Sequence, residues 1–298
     1  MHREEVKQFV LFSGLRQAVT DFGLLVKFKL TLLVLFSAVM SYAIVSGGNV
    51  TFSGMFLLTM GGFLITGAAN ALNQVLERDY DRMMVRTAGR PLAAGRMSVS
   101  TAVLAAGLMA LAGIVMLTML NAMAGFLGTI SLISYAFVYT PMKRSTPLAV
   151  AVGAIPGALP LIIGCLAFEQ SISPTAWMLF SLQFLWQFPH FWAIAWVSHT
   201  DYSKVGFKLL PADKGPTKFT ALQSVMYAVL MVPIGFLPNY FQITGEWSMW
   251  VVLVANIFMV VQCVRLYQNM GVPAARRVMF SSYIYLPIVY LALMADKI

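Results

Sequence analysis

Asn70, Asn73, Glu77 and Asp81 recur at intervals of three, four and four residues in the segment NALNQVLERDYDRMMVRTAGRPLAAGRM. On a helix advancing 100° per residue, that spacing holds all four within a stripe of about 80°. An amide and two carboxylates from Asn73, Glu77 and Asp81 then point at one location. Hard oxygen donors on one face suit magnesium, which takes carboxylates, retained water and phosphate oxygens in preference to a closed protein cage. Asp79 lies off the stripe. Arg78, Arg82, Arg86, Arg90 and Arg96 crowd the same segment, and guanidinium forks match phosphate oxygens. The bland alternative is a solvated helix end, with Arg78, Asp79 and Arg82 paired among themselves and the arginines anchoring the chain at a membrane surface.

Two more polar segments could share this chemistry. HTDYSKVGFKLLPADKGPTK supplies Asp201, Lys204, Lys208, Asp213 and Lys214, and YTPMKRSTP supplies Lys143 and Arg144. Asp201 follows closely on an apolar stretch and could face Glu77 and Asp81 across a shared cavity. Carboxylates from two segments and cations from three together describe a site for a magnesium diphosphate. For Lys143 or Arg144 alone, holding a helix end at the membrane surface is an equally good account.

The elements that must position these groups are apolar. Hydrophobic residues make up 59% of the 298-residue chain, charged residues 10%, and mean hydropathy is +0.79. That exceeds the needs of a soluble core. Crossing about 30 Å of hydrocarbon takes roughly 20 residues of helix. Runs of that length lie near 28–46, 52–73, 100–119, 121–140, 147–167, 174–196, 218–238, 247–266 and 278–295, with the division at Leu120 and Asn121 the least distinct. An all-α bundle of about nine spans follows, since barrel strands would be shorter. With a cytoplasmic N-terminus, all of the twenty lysines and arginines except Lys297 fall inside, as cationic loops require. Residues 1–27, which include Arg3 and Lys7, then form a cytoplasmic segment ahead of one membrane domain over 28–298.

The net charge of +9 is explained by this bias and points to anionic lipid, not to nucleic acid. No cleavable signal peptide is apparent. Cys165 and Cys263 fall inside spans without metal-ligand spacing, so packing accounts for them. The long internal loops 74–99 and 197–217 each follow an even-numbered span, four spans apart, which hints at an internal duplication.

These motifs resemble the UbiA-type intramembrane prenyltransferases, which carry an asparagine followed by acids at four-residue intervals after the second span, here Asn73, Glu77 and Asp81. Within that superfamily, NQVLERDYDRMMVRTAGRPL, YTPMKRSTPLAVAVGAIPGALP, FPHFWAIAW and DYSKVGFKLLP resemble the branch that farnesylates haem. They keep their order across residues 70–211. Two departures stand out. Asp201 is followed four residues on by Val205, where the wider superfamily often has a second acid, and this weakens any case for Asp213 as a ligand. Phe188 precedes Pro189 where many relatives have two prolines.

The resemblance implies transfer of a farnesyl group from farnesyl diphosphate to a vinyl group of protohaem IX in the bacterial inner membrane. It implies magnesium held by Asn73, Glu77, Asp81 and Asp201, with Arg78, Arg82, Arg86, Arg90, Lys143, Arg144 and Lys204 on the diphosphate. Haem and farnesyl diphosphate enter as substrates, and haem-handling or terminal oxidase assembly proteins come into view as partners. His190 would ligate the haem iron or hydrogen-bond a propionate, with a buried structural histidine as the plain alternative and His199 a weaker candidate. Phe188, Phe191, Trp192 and Trp196 would line the porphyrin or tail pocket, or form an interfacial aromatic belt. A sister prenyltransferase acting on a quinone precursor would share the diphosphate site. A secondary transporter is the alternative from another class.

Overall fold

The computed structural model describes residues 2–212 and 215–298, with side chains described from residue 14 onward. Asp213, Lys214 and the side chains of Arg3 and Lys7 lie outside the described residues. No strand occurs among the named elements. The helices are α1 (His2–Leu25), α2 (Phe28–Ser46), α3 (Phe52–Met83), α4 (Val99–Leu120), α5 (Ala122–Ile133), α6 (Thr140–Met142), α7 (Ala149–Leu166), α8 (Pro174–Val197), α9 (His199–Lys204), α10 (Lys218–Tyr240), α11 (Glu246–Asn269) and α12 (Val272–Ala295). A π-helical stretch, Ser134–Tyr139, joins α5 to α6 into one continuous rod.

Among the described residues, eight helical rods are long and apolar enough to cross a membrane. The ninth expected span, α8, is equally long at 24 residues, but Gln183, Gln187 and His190 dilute its apolarity. Its glutamines bond to neighbouring helices. Gln183 donates to the Gly157 carbonyl at 2.6 Å and accepts from Tyr290 at 2.8 Å, and Gln187 donates to the Ala154 carbonyl at 2.8 Å. Helix α8 packs against α2, α7, α10 and α12, so its amides are shielded from lipid, where unpaired polar groups are costly. The protein is a multi-pass membrane protein.

Side-chain caps start several of the rods: Thr51, Ser98, Asn121, Ser173 and Thr217 each accept an orphan backbone N–H of the helix that follows. Asn121 also ends α4, which makes the indistinct division at 120–121 a true boundary. Close helix approach needs small residues. A Cβ on Gly113 would lie 3.0 Å from the Gly61 carbonyl, across the α3–α4 contact, and one on Gly164 would collide with the Ala38 carbonyl of α2.

The helical boundary after the second span differs from expectation. The apolar run ends the second span at residue 73 and places a loop over 74–99, whereas α3 stays helical to Met83, as the helical spacing of Asn73, Glu77 and Asp81 anticipates, because its polar end is covered by other chain segments and has no need to unwind into water. The last span likewise begins earlier than expected, at Val272. Residues 2–25 are helical, and the chain turns sharply at Lys27, which sits in the left-handed region with φ 48°.

Candidate functional site

The polar stripe is buried along the whole end of α3. Asn70, Asn73, Gln74, Glu77 and Asp81 are each no more than 5% exposed. Buried carboxylates require partners, and each partner comes from a different part of the chain. Arg90 donates to both Asp81 oxygens, at 2.8 and 2.7 Å. Lys143 Nζ donates to Glu77 Oε1 at 2.8 Å. Lys27 Nζ donates to Asn73 Oδ1 at 2.7 Å, while Asn73 Nδ2 donates to Thr140 Oγ1 at 3.0 Å.

Local structure explains how the three cations arrive. Residues 84–98 fold back on α3 in successive turns: Thr87 Oγ1 donates to the Asp81 carbonyl at 3.0 Å, and Leu92 is buried beneath. That return brings Arg90 onto Asp81. Lys143 follows the π-helical stretch, whose extra residue per turn re-aims the side chains beyond it. Its ammonium lies 4.7 Å from the Tyr139 ring centre and 5.7 Å from that of Phe207. Burial is the largest single influence and favours the neutral amine of Lys143, yet Glu77 with Tyr135 and Tyr202 together hold its pKa above the ordinary lysine value.

Lys27 is delivered by a grip on the α1–α2 corner. Gln74 Nε2 donates to the Leu24 and Leu25 carbonyls at 2.7 and 2.8 Å, and Asn70 Nδ2 donates to the Val26 carbonyl at 3.2 Å. Gly67 lets that corner approach, since a Cβ there would stand 3.3 Å from Val26. Asn70 therefore positions a cation and does not face one. In the sequence, Lys27 is only one of the cationic residues that fall on the inner side. The readable signal was Gln74, an amide beside the stripe with no role in it.

The loop expected to contribute Asp201 meets the other two. Arg86 Nη2 donates to Tyr202 Oη at 3.2 Å, the Lys208 amide donates to the Lys143 carbonyl at 2.6 Å, and the rings of Tyr80 and Phe207 stand 6.4 Å apart. Asp201 itself pairs with Lys204 at 3.1 Å near the surface. Arg78 and Arg82 pair with exposed Asp79 at 3.1 and 3.3 Å, as the bland reading has it. Arg82 also donates to the Ala93 carbonyl at 2.9 Å. Arg144 hydrogen-bonds Tyr80 and lies over its ring. Arg96 pairs with Asp21 of α1 at 2.7 Å.

Among the described residues, no three histidine, cysteine, aspartate or glutamate side chains are grouped to hold a metal ion. Two buried carboxylates facing Lys27, Lys143 and Arg90 leave an excess of positive charge. That set fits a metal diphosphate better than a bare ion: the anion can take the cations, and the freed carboxylates can take the metal with phosphate oxygens and water completing its shell.

The acceptor-side residues divide. Phe188, Trp192 and Trp196 are buried; Phe188 stacks on Tyr227 at 4.0 Å and Trp192 meets it edge-on at 5.3 Å. Phe188 and Trp192 thus pack between α8 and α10, while Trp196 belongs to the main buried core. His190 faces α12 instead, through Ser282 and Tyr283, with Phe191 edge-on to its ring.

An intramembrane helical bundle whose polar loops converge on a buried acid stripe ringed by cations is the architecture of a membrane prenyltransferase. Residues 34–284 match the UbiA prenyltransferase family, and the chain belongs to that family. It is similar to the protoheme IX farnesyltransferase of Cytophaga hutchinsonii, 43% identical over 92% of this chain and 96% of the relative. The enzyme of that name from Christiangramia forsetii is 37% identical over 94% of each chain. Among solved structures, a digeranylgeranylglyceryl phosphate synthase superposes with TM-score 0.80 at 18% identity, covering 94% of this chain and 98% of that one. A UbiA homologue from Archaeoglobus fulgidus, bound to GPP and Mg2+, gives TM-score 0.65 at 14% identity, covering 92% and 99%.

Proposed function

We propose that the protein transfers the farnesyl group of farnesyl diphosphate to a vinyl group of protohaem IX, giving haem O. The observation that carries the diphosphate half is the convergence of Lys27, Arg90 and Lys143, from three distant segments, on Asn73, Glu77 and Asp81. The acceptor half is supported by the relatives named above, which share sequence over nearly the whole chain. Family membership sets aside the transporter alternative.

Ionisation of the allylic carbon–oxygen bond puts negative charge on the departing diphosphate. Lys27, Arg90 and Lys143 are held in advance where that charge develops, so little reorganisation opposes the step. Magnesium, when bound, would neutralise diphosphate oxygens from the Glu77 and Asp81 side; the Mg2+ in the Archaeoglobus fulgidus homologue supports that reading. Asp201 would join from the α9 side once released from Lys204, and Arg86 would remain on the outer rim with Tyr202. The farnesyl chain extends into the apolar bundle, where water is kept from its cation until the vinyl carbon attacks. Water then captures the new cation, and its proton leaves.

Residues 28–298 would act as one catalytic domain. In this reading the site lies at the cytoplasmic face of the bacterial inner membrane, with the N-terminus on the same side, as the lysine and arginine distribution supports. Haem-handling proteins and terminal oxidase assembly factors would supply and receive the porphyrin. The test is incubation of purified protein with haem, farnesyl diphosphate and magnesium, followed by mass analysis for the adduct. Pyrophosphate release without an adduct would redirect the assignment to a sister acceptor such as a quinone precursor.

A further inference from the structure

His190 lies about two turns from the C-terminal end of α8, and among the described residues only one of its ring nitrogens is engaged. Nδ1 stands 2.7 Å from Ser282 Oγ of α12. The Ser282 hydroxyl has a single proton, and it is directed to the Met279 carbonyl at 2.6 Å. Ser282 Oγ can then only accept from His190, so the imidazole proton resides on Nδ1. Nε2 is left with a bare lone pair. Among the described residues it takes part in no hydrogen bond, yet the sealed, unpartnered polar atoms there are Gln74 Oε1 and Thr244 Oγ1 alone. Nε2 therefore opens onto accessible space.

The ring is also fixed in rotation. Trp186 stacks on it with centres 4.4 Å apart and planes 18° from parallel, and the Trp186 indole N–H donates to the Ser282 carbonyl at 3.1 Å. Phe191 and Tyr283 meet the imidazole edge-on at 5.2 and 5.4 Å. Ser282 thus holds both the histidine, through its hydroxyl, and the indole that clamps it, through its carbonyl.

A fixed tautomer decides between the two haem contacts open to His190. An ionised propionate offers only acceptors, and Nε2 is an acceptor too, so that pair has no proton to share. A ferrous or ferric iron instead takes a lone pair, and a histidine ligand is held and made more basic by an Nδ1–H donated to an acceptor behind it. We propose that His190 Nε2 is an axial ligand to the iron of the haem substrate and that Ser282 is the positioning residue that fixes its tautomer. Coordination uses the Nε2 lone pair and releases no proton, because the ring's only proton stays on Nδ1. Aromatic walls from Phe191 and Tyr283 suit a flat apolar macrocycle beside the ligand.

This inference rests on haem being the acceptor, and its test separates the two. The full-length protein in detergent is titrated with haem, and the ferrous complex is examined by resonance Raman spectroscopy while a parallel sample is assayed by mass for the farnesyl adduct. An iron–imidazole stretch is expected in the wild type, lost in His190→Ala and restored by added imidazole. Ser282→Ala should keep the ligand but lower the stretching frequency and weaken haem binding about tenfold, and Ser282→Thr should retain both. Absence of the stretch in the wild type, or its survival in His190→Ala, overturns the assignment. An unchanged frequency in Ser282→Ala overturns the role given to Ser282. Adduct formed without an iron–imidazole stretch sinks the ligand and leaves the reaction standing. An imidazole-ligated haem that never accepts farnesyl supports the ligand and sinks the reaction.

Discussion

Arg90 grips both carboxylate oxygens of Asp81, at 2.8 and 2.7 Å, although the two side chains belong to different structures, a helix end and a returning loop. The carboxylate is 1% exposed on its side-chain surface and the arginine 18%. In a bidentate pair so shielded, neither partner can change alone without leaving a charge behind. In the proposed reaction, substrate binding would therefore exchange partners, with Arg90 moving its bonds to phosphate as Asp81 turns to metal.

Removing the charge from either acid should remove that exchange. Asp81→Asn and Glu77→Gln are expected to lower turnover by about 10²-fold or more, the scale on which a preorganised electrostatic group acts. Both proteins should still insert into membranes. Adduct formation at near wild-type rates in either variant would discredit the acid stripe as catalytic machinery.

Lys27 combines two separable features, its ammonium and its left-handed backbone at φ 48°. Glycine relieves the strain that alanine keeps, so Lys27→Gly should be more stable than Lys27→Ala by about 1 kcal/mol. Both should bind farnesyl diphosphate at least about tenfold more weakly through loss of a charge-assisted contact. Thermal unfolding and ligand titration on the pair check this; equal stability would mean that the corner relaxes freely.

The charge state of Lys27 gives a pH prediction. Burial, then the nearby Arg90 and Lys143, push its pKa well below the usual lysine value, against the opposing pull of Glu77 and Asp81. Between the folded and unfolded values the unfolded chain binds more protons, so the contribution of Lys27 to stability rises with pH across that window. At pH above that depressed value, a bound diphosphate would restore the ammonium. Calorimetric titrations in two buffers of different ionisation enthalpy, run above the depressed value, should show uptake of about one proton. Lys27→Met should abolish the uptake, and an unaltered proton count in that variant would remove Lys27 from the diphosphate site.

Arg96 ties the loop to α1. Its guanidinium holds the Asp21 carboxyl below the usual carboxylate range, opposed by burial and helped by Gln17. A depressed acid stabilises the fold above its unfolded value, and that contribution disappears as pH falls through the folded value. Arg96→Gln at neutral pH should therefore speed amide exchange across residues 84–98, and acid should do the same in the wild type. Exchange that is insensitive to both would show that the turns of the loop hold it without α1.

Much of the candidate site was legible because its signals are periodic or compositional. The stripe of Asn73, Glu77 and Asp81 follows from helical spacing, and the spans follow from runs of apolar residues long enough for a bilayer. The end of α3 was harder to read. A polar sequence at a helix terminus looks like solvated loop by hydropathy, whereas Gln74, Glu77 and Asp81 stay helical because segments hundreds of atoms away in the chain cover them. The five arginines carry no individual label either. Arg78 and Arg82 face outward to Asp79, Arg86 reaches Tyr202, Arg96 reaches Asp21, and only Arg90 turns inward.

Residue order alone determined that the chain is an intramembrane helical bundle with acids in register on one helix face, since hydropathy and a 3.6-residue period are local properties. Which cations complete those acids was decided only in three dimensions. Lys27, Arg90 and Lys143 lie far apart along the chain, and a charge buried in a low-dielectric interior selects its partner by proximity, which folding alone supplies.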